Sequence, residues 1–327
     1  PLGDTLVVGT GTSASFSGVS FEQGIINAKL LNQGNITFAG VVQQNDSLRN
    51  VAGATMSIRG AVDNVLTVDQ GLVNLGTILL DPPSLRSATL AVTNGDLQNA
   101  PAGQITATAE GAGNTIQSRL LNTGTVTVDP GATLTVTEAA TSHLNSGVTT
   151  VGSGGTLTIA GAGASFSNVS SGTLGGSGTL DLSGLSAFVI EGDLIPGGNG
   201  VAGPLSIISN TAFNLQHRGT VYFEIGGLGA SDFLEFCDTL DVTGDTVDYS
   251  TVLGGYEPAG PGPDSIPVLD AAEILGDPDL IIAPTPPAGW NVAIERVAGV
   301  RDTLWVIYTP SVAASAEMVP NGVTLTD

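Results

Sequence analysis

Four acidic side chains in the C-terminal third of the chain are spaced closely enough to suggest metal binding. They are Asp238, Asp241, Asp245 and Asp248, and carboxylate oxygens are the ligands that calcium prefers in proteins. Their spacing does not match the twelve-residue loop of an EF-hand. The sequence therefore leaves calcium as the one cofactor to test and predicts no other.

A second group of charged residues could act on a sugar polymer. Asp46 and Asp69 are 23 residues apart, and Arg49 lies close to Asp46. A polysaccharide lyase needs clustered calcium-binding carboxylates and an Arg or Lys base, because the proton that it removes lies beside a carboxylate. The other acids of this half of the chain are dispersed. We therefore expect solvated loop charges here and a protein that is not an enzyme.

Other catalytic arrangements also fit the sequence poorly. Glycoside hydrolysis needs two carboxylates about 5 to 10 Å apart, whereas the odd spacing of Asp238 and Asp241 places them on opposite faces of a strand. The two histidines, His143 and His217, are far apart in sequence. They are expected in turns or on the surface, and no catalytic residue is predicted.

Composition excludes two classes of partner. The chain has 8 Lys and Arg against 30 Asp and Glu, a net charge of −22. Binding to nucleic acid depends on Lys and Arg that neutralise phosphates, and an anionic membrane surface repels such a chain. No apolar run is long enough to span a bilayer. We expect neither nucleic-acid binding nor membrane insertion, and a lone Cys237 that is buried.

The elements that position these residues are indicated by a repeat in the first half of the chain. An asparagine is followed within two to four residues by a glycine, and the steps between asparagines are 18, 24, 25, 23, 23 and 23. A fixed period of this length predicts one coil per repeat in a right-handed parallel β-helix. The pairs are Asn32/Gly34, Asn50/Gly53, Asn74/Gly76, Asn99/Gly103, Asn122/Gly124, Asn145/Gly147 and Asn168/Gly172.

Alternation of apolar residues with Thr or Ser after these anchors predicts strands with one buried face. We expect Leu31 and Leu121 to point inward. Asn32 and Asn122 should turn the corner in left-handed backbone and bond to asparagines of neighbouring coils, with the glycines in conformations that other residues avoid. About eight coils fit before residue 190. A β-sandwich is the alternative, although it does not require one residue type at every bend.

The amino-acid composition changes after residue 190, where Pro and Gly become frequent. The coils should end or become irregular there. Residues 1–190 carry 11 acids, whereas the 48 residues from Asp232 to Asp279 carry 12. We divide the chain into a β-helix (1–190), an acidic β-rich module (191–310), and a linker with a terminal strand (311–327) that contains Val323, Thr324 and Leu325. Strands are expected at Val221–Ile225, Thr239–Val242, Thr246–Val252, Ser265–Leu269, Asn291–Arg296 and Thr303–Tyr308.

These later segments carry a family resemblance. The order LIPGG (194–198), GTVYFEI (219–225), DTLDVTG (238–244), PAGWNV (287–292) and TLWV (303–306) resembles the C-terminal half of bacterial surface β-helix proteins, of the autotransporter-passenger and exported strand-repeat type. The resemblance implies a series of strand repeats that leads into such a module, on a bacterial cell surface. This sequence shows no hydrophobic sorting helix or membrane barrel of the kind those proteins carry.

Together these features predict an extracellular structural or adhesive protein. The expected partner is a second copy, through β-helix ends or a donated Val323–Thr324–Leu325 strand, or another cell-surface component. Carbohydrate is the alternative ligand, in a polysaccharide-binding or polysaccharide-degrading β-helix, with Trp290 or Trp305 in an exposed groove. A third reading is binding of ice or another ordered surface through threonine ladders such as Thr133-Leu134-Thr135 and Thr156-Leu157-Thr158.

Overall fold

The fold is all-β, as the sequence predicts. The computed structural model describes residues 13–16, 18–198, 200–210, 215–226, 231–250, 264–277, 280–282 and 289–311. Every regular element in these residues is a β-strand, and the strands form parallel stacked coils of about 23 residues. In this part of the chain, no helix is long and apolar enough to cross a membrane.

Thirty-three strands make up the described structure. The strands of the first half are β1 (Ser13–Phe16), β2 (Val19–Phe21), β3 (Gly24–Ile26), β4 (Lys29–Asn32), β5 (Asn35–Phe38), β6 (Val41–Gln44), β7 (Leu48–Asn50), β8 (Thr55–Ile58), β9 (Asn64–Val68), β10 (Leu72–Asn74), β11 (Thr77–Leu80), β12 (Ser87–Asn99), β13 (Gln104–Ala107), β14 (Gly113–Asn122), β15 (Thr125–Val128), β16 (Thr133–Thr137), β17 (Ser142–Asn145) and β18 (Val148–Val151).

The second half contains β19 (Thr156–Ala160), β20 (Ser165–Asn168), β21 (Thr173–Gly176), β22 (Thr179–Asp181), β23 (Ala187–Ile190), β24 (Asp193–Pro196), β25 (Pro204–Ile208), β26 (Leu215–Gln216), β27 (Thr220–Glu224), β28 (Phe233–Asp241), β29 (Thr246–Ser250), β30 (Asp264–Leu275), β31 (Leu280–Ile282), β32 (Trp290–Val297) and β33 (Asp302–Pro310).

Each regular coil contributes three strand segments, which stack into three faces. Face 1 comprises β3, β6, β9, the first halves of β12 and β14, β16, β19, β22, β25 and the start of β28. Face 2 comprises β4, β7, β10, the second halves of β12 and β14, β17, β20 and β23. Face 3 is a twelve-stranded sheet from β2 to β31. Eight face-3 strands precede residue 190, which matches the predicted number of coils.

The core is a set of apolar columns inside the coils. Leu134 pairs in register with Leu157, which pairs with Leu180, and each is 0–2% exposed. The alternate positions on the same strands, such as Thr135 and Thr158, face solvent. Burying one such leucine side chain contributes about 1.5–3 kcal/mol, so the stacked columns drive folding coil by coil.

The predicted inward orientation of Leu31 and Leu121 is wrong. Leu31 and Leu121 are partly exposed, whereas their neighbours Leu30 and Leu120 are 2% and 8% exposed. The following asparagine is itself buried, and side chains alternate along a strand. The residue immediately before each asparagine must therefore face outward.

Parallel stacking continues past residue 190, where the coils become irregular and do not end. Leu194 pairs with Val221, Val221 with Val247, and Val247 with Ile281, at separations of 27, 26 and 34 residues. Each of the six strands expected in this region overlaps an observed one.

The last described strands run the other way. β33 pairs antiparallel with β30 and with β32, and its inward side chains Leu304, Val306 and Tyr308 are 0–3% exposed. Trp290 and Ile294 on β32 are partly buried and pack against the same core. Val323, Thr324 and Leu325 lie outside the described residues.

Candidate functional site

The seven repeat asparagines form one hydrogen-bonded column inside the coils. The Nδ2 atom of each donates to the Oδ1 atom of the next, at distances of 2.6–2.8 Å, from Asn32 to Asn168. All seven side chains are 0–2% exposed. A buried amide is stable only when its hydrogen bonds are made, so each coil satisfies its neighbour.

The six asparagines from Asn32 to Asn145 also tie two faces together. The Nδ2 atom of Asn74 donates to Gln104 O at 3.0 Å, and that of Asn99 donates to Thr125 O at 3.0 Å. These carbonyls begin the face-3 strand of the next coil, whereas the asparagine ends a face-2 strand. The column therefore fixes the bend between faces 2 and 3.

The predicted left-handed backbone at these asparagines is wrong. The non-glycine residues with positive φ in the described chain are Leu85 and Ala140. Each asparagine is the last residue of a strand, and its side chain points into the core. The amide therefore acts through its buried hydrogen bonds and not through tolerance of an unusual φ.

Most of the repeat glycines are required by close stacking and not by φ. Of the seven, Gly53 has a positive φ, of 79°. At Gly76, Gly103, Gly124, Gly147 and Gly172, a Cβ atom would overlap a backbone carbonyl oxygen of the preceding coil. Gly34 donates its N–H to Asn32 Oδ1 at 3.1 Å. Any larger residue at the five stacked positions would push two coils apart.

The glycine column extends beyond the last asparagine. Gly192 and Gly219 stack in the same way as the earlier glycines. The positions two residues before them are Ile190, which pairs with Asn168, and His217, which bridges to Ile190. These coils lack the repeat asparagine and therefore fall outside the Asn–Gly period of the sequence, although the spacing to glycine is retained.

His217 replaces the amide with a buried histidine–carboxylate pair. Its Nδ1 atom lies 2.8 Å from Oδ2 of Asp245, and its Nε2 atom lies 2.9 Å from Gly192 O. Both residues are 0–1% exposed. Because a carbonyl only accepts, Nε2 carries a proton, and a second proton lies between Nδ1 and the carboxyl group. Burial raises the pKa of Asp245, and the bond to His217 acts against that shift.

His143 is also buried, so the prediction of two surface histidines is wrong. It is 1% exposed and lies in a small cavity lined by Val126, Val136 and Leu157, among other residues of the coil interior. Its Nδ1 atom accepts the N–H of Leu120 at 3.2 Å, while Nε2 has no partner. Burial, with a smaller effect of Arg119, lowers the pKa of His143 to about 4.

Two further buried carboxylates hold a glycine-rich turn. Asp232 accepts the N–H groups of Gly203 and Glu224 at 3.0 and 2.9 Å, and Glu224 accepts that of Gly200 at 2.6 Å. Asp232 is 0% exposed, and burial raises its pKa to about 7. Gly197 has φ of 74° beside Asp232. These acids fix the turn that leads into β25.

Of the four acids proposed for calcium, Asp238, Asp241 and Asp245 have other partners, and the side chain of Asp248 lies outside the described structure. Asp238 and Asp241 accept nearby backbone N–H groups, Asp245 is bonded to His217, and Asp248 lies on face 3 opposite Tyr222. Within the described ranges, no group of three or more His, Cys, Asp or Glu side chains could hold a metal ion.

The candidate acids for sugar chemistry also have separate partners. Asp69 accepts hydrogen bonds from Thr93 and Asn94 at 2.9 and 2.5 Å, and these bonds, with one from Gln70, lower its pKa. Asp46 accepts the N–H of Ser47 at 2.6 Å. The backbone N–H of Asp69 donates to the carbonyl oxygen of Gln44 in the preceding coil. Asp69 therefore lies level with Asn45 and not with Asp46.

Three further residues that the sequence singled out are Cys237, Trp290 and Trp305. Cys237 was expected to be buried, but it is exposed because its position on β28 faces outward. Trp290 is partly buried at the end of the core, and Trp305 has a buried Nε1 atom without a hydrogen-bond partner.

No protein-family model and no curated protein matches this chain.

The asparagine column predicts a large cost for one truncation. Asn122→Ala removes the oxygen to which Asn99 donates and the N–H group that Asn145 accepts. Each buried group left unpaired costs about 1–3 kcal/mol. We expect urea unfolding to show a loss of about 2–5 kcal/mol. The matched control, Asn35→Ala, alters an exposed side chain and should change stability by less than about 0.5 kcal/mol. Equal losses in both variants would contradict the column.

His143 predicts a specific pH dependence. Its pKa is about 4 when folded, below the ordinary histidine value of 6.5, so below pH 6.5 the unfolded chain binds a proton that the folded protein does not. The free energy of unfolding should therefore fall by about 3 kcal/mol as the pH drops from 6.5 to 4. In His143→Phe this contribution should be missing when unfolding is measured at several pH values. Parallel pH profiles for the two proteins would contradict the assignment.

Proposed function

We propose that this protein is an extracellular bacterial surface protein with a structural or adhesive role. The observation that carries the proposal is the asparagine column, which links seven successive coils by buried side-chain hydrogen bonds. Coils joined in this way, in addition to continuous parallel sheets, form a stiff rod. A stiff rod suits presentation of a surface or assembly into a filament.

Composition supports the same role. A chain with a net charge of −22 and a single lysine stays soluble at high concentration and avoids other anions. The chain has eight Lys and Arg among 327 residues, so an enzyme such as trypsin, which cleaves after either residue, has few sites of attack. Tightly hydrogen-bonded coils also open rarely, which limits cleavage by other proteases. Both properties suit a protein exposed outside the cell.

Self-association is part of the proposal. The ends of a β-solenoid present strand edges with unpaired N–H and C=O groups, which pair with another strand unless a cap or charge prevents it. The Val323–Thr324–Leu325 segment is proposed as a strand donated to a neighbour. Calcium is proposed as a modulator of the acidic C-terminal coils and not as a catalytic cofactor.

Electron microscopy of the purified chain tests the proposal. Twelve face-3 strands spaced by about 4.8 Å give a rod about 50 Å long. We expect such rods, or filaments built from them, with assembly that changes between calcium and a chelator. Compact round particles under both conditions would contradict the structural role.

A truncated chain serves as the control for strand donation. Removal of residues 311–327 should leave the rods intact and reduce any end-to-end filaments, because the donated strand is lost. Filaments of unchanged length from the truncated chain would exclude donation by this segment, while leaving the rod itself in place.

A further inference from the structure

The strands of face 1 carry no outward charged side chain over seven consecutive coils, from β3 to β19. The outward residues between β3 and β22 run from Ile25 to Thr179 and are otherwise Gly, Val, Gln, Thr, Ser and Ala. In the same coils, face 2 presents Lys29, Arg49, Asp96 and Arg119. The first charged residue on face 1 is Asp181. Face 3 is also free of outward charge from β2 to β21, so the feature that distinguishes face 1 is the exposed apolar patch at its N-terminal end.

Threonines on this face are aligned from coil to coil. Thr89, Thr115, Thr135 and Thr158 form one column through the strand registers. Thr133, Thr156 and Thr179 form the adjacent column. Neighbours are therefore about 4.8 Å apart along the rod and about 6.7 Å apart along each strand. The result is a flat, regular surface of methyl and hydroxyl groups.

The N-terminal end of face 1 is apolar. Ile25 is 43% exposed and Val41 is 56% exposed, and Val41 pairs directly with Val65 of the next coil. Val62, which is 52% exposed, lies in the turn before β9 and close to Gly40. Clustered exposed apolar residues mark interaction surfaces more often than isolated ones do.

We propose that face 1 is the contact between two copies of this chain, which lie side by side and point in the same direction. A two-fold axis parallel to the rods places each feature against itself. The patch of Ile25, Val41, Val62 and Val65 meets its own copy, and threonine columns meet threonine columns. In the opposite orientation this patch would lie against the Asp181 end of the partner.

A second copy fits this face better than a glycan. No aromatic side chain points outward on face 1 between Ile25 and Thr179, whereas ligand pockets are rich in aromatic residues. Two chains of like charge approach most easily where neither carries charge. Repulsion between their charged surfaces is screened beyond about 10 Å at moderate salt.

The size of the face sets the expected strength of the contact. Eight strands span about 34 Å along the rod, and five residues span about 16 Å across it. The pair would bury about 1,000 Å² in total, near the lower limit for specific interfaces. We therefore expect reversible pairing with a dissociation constant on the order of micromolar. The inference rests on the proposed structural function, to which it adds a lateral contact.

Sedimentation velocity with matched variants tests the contact. The face-1 variant is Thr135→Glu with Thr158→Glu, and the face-3 control is Thr127→Glu with Thr150→Glu. Both pairs are adjacent in register in neighbouring coils, so both variants gain the same charge and the same local repulsion. Urea unfolding checks that the two are equally stable.

The wild-type chain and the control should dimerise between about 1 and 100 μM, with the face-1 variant at least about tenfold weaker. A wild-type chain that stays monomeric throughout this range would overturn the proposal. A control that loses dimerisation as fully as the face-1 variant would also overturn it.

The native cysteine reports the orientation of the pair. Cys237 is exposed on β28, at the tenth strand of face 1. Burial raises the pKa of its thiol, so a spin label is attached at mildly alkaline pH. Chains pointing the same way should place the two labels within about 25 Å, whereas opposite chains would separate them by about 50 Å. The longer distance would refute the proposed arrangement.

The two proposals fail in different ways. Rods of single width in the microscope, together with a monomer in sedimentation, would remove the lateral contact and keep the structural role. Round particles in the microscope would remove the structural role, whatever the result of sedimentation.

Discussion

The constraint on which the structure depends is the need to satisfy a buried amide in every coil. An asparagine inside the coil has two donors and an acceptor that water cannot reach. Its acceptor takes a hydrogen bond from the amide of the preceding coil, as from Asn74 to Asn99. Its donors bond to the amide of the next coil and to the carbonyl that begins the next face-3 strand, as in Asn99 with Asn122 and Thr125. A coil shifted by one residue would break these bonds and expose the apolar column beside them. The column therefore sets the register of the coils from Asn32 to Asn168.

The end of the column shows what replaces it. Ile190 occupies the position after Asn168 and makes no side-chain hydrogen bond, so register there depends on packing and on Gly192. His217 restores a polar link by bonding to Gly192 O and to Asp245. In the same region, the buried carboxylate of Asp232 holds a turn by accepting backbone N–H groups. These coils thus exchange a repeated neutral amide for individual contacts to buried carboxyl groups.

Much of the fold was predictable from the sequence. The spacing of Asn122, Asn145 and Asn168 gives the coil length directly, and the alternation in GATLTV predicts the face-1 strands. The sequence could not show which side of the strand Leu121 occupies, because the polarity of asparagine suggested an exposed bend where the structure buries it. It also could not show that His143 and His217 lie inside, since burial of a histidine depends on contacts with neighbouring coils. Gly219, two residues after His217, was the available signal for the later coils.

The central claim is that the repeat asparagines share one buried column, and hydrogen exchange of their side-chain amides tests it most directly. In a sample labelled with ¹⁵N at asparagine, NMR follows each NH₂ group separately. The account predicts strong protection for Asn50, Asn74, Asn99 and Asn122, and exchange near the unprotected rate for the exposed Asn35. Rapid exchange at all of these asparagines would contradict the column and the stiff rod derived from it.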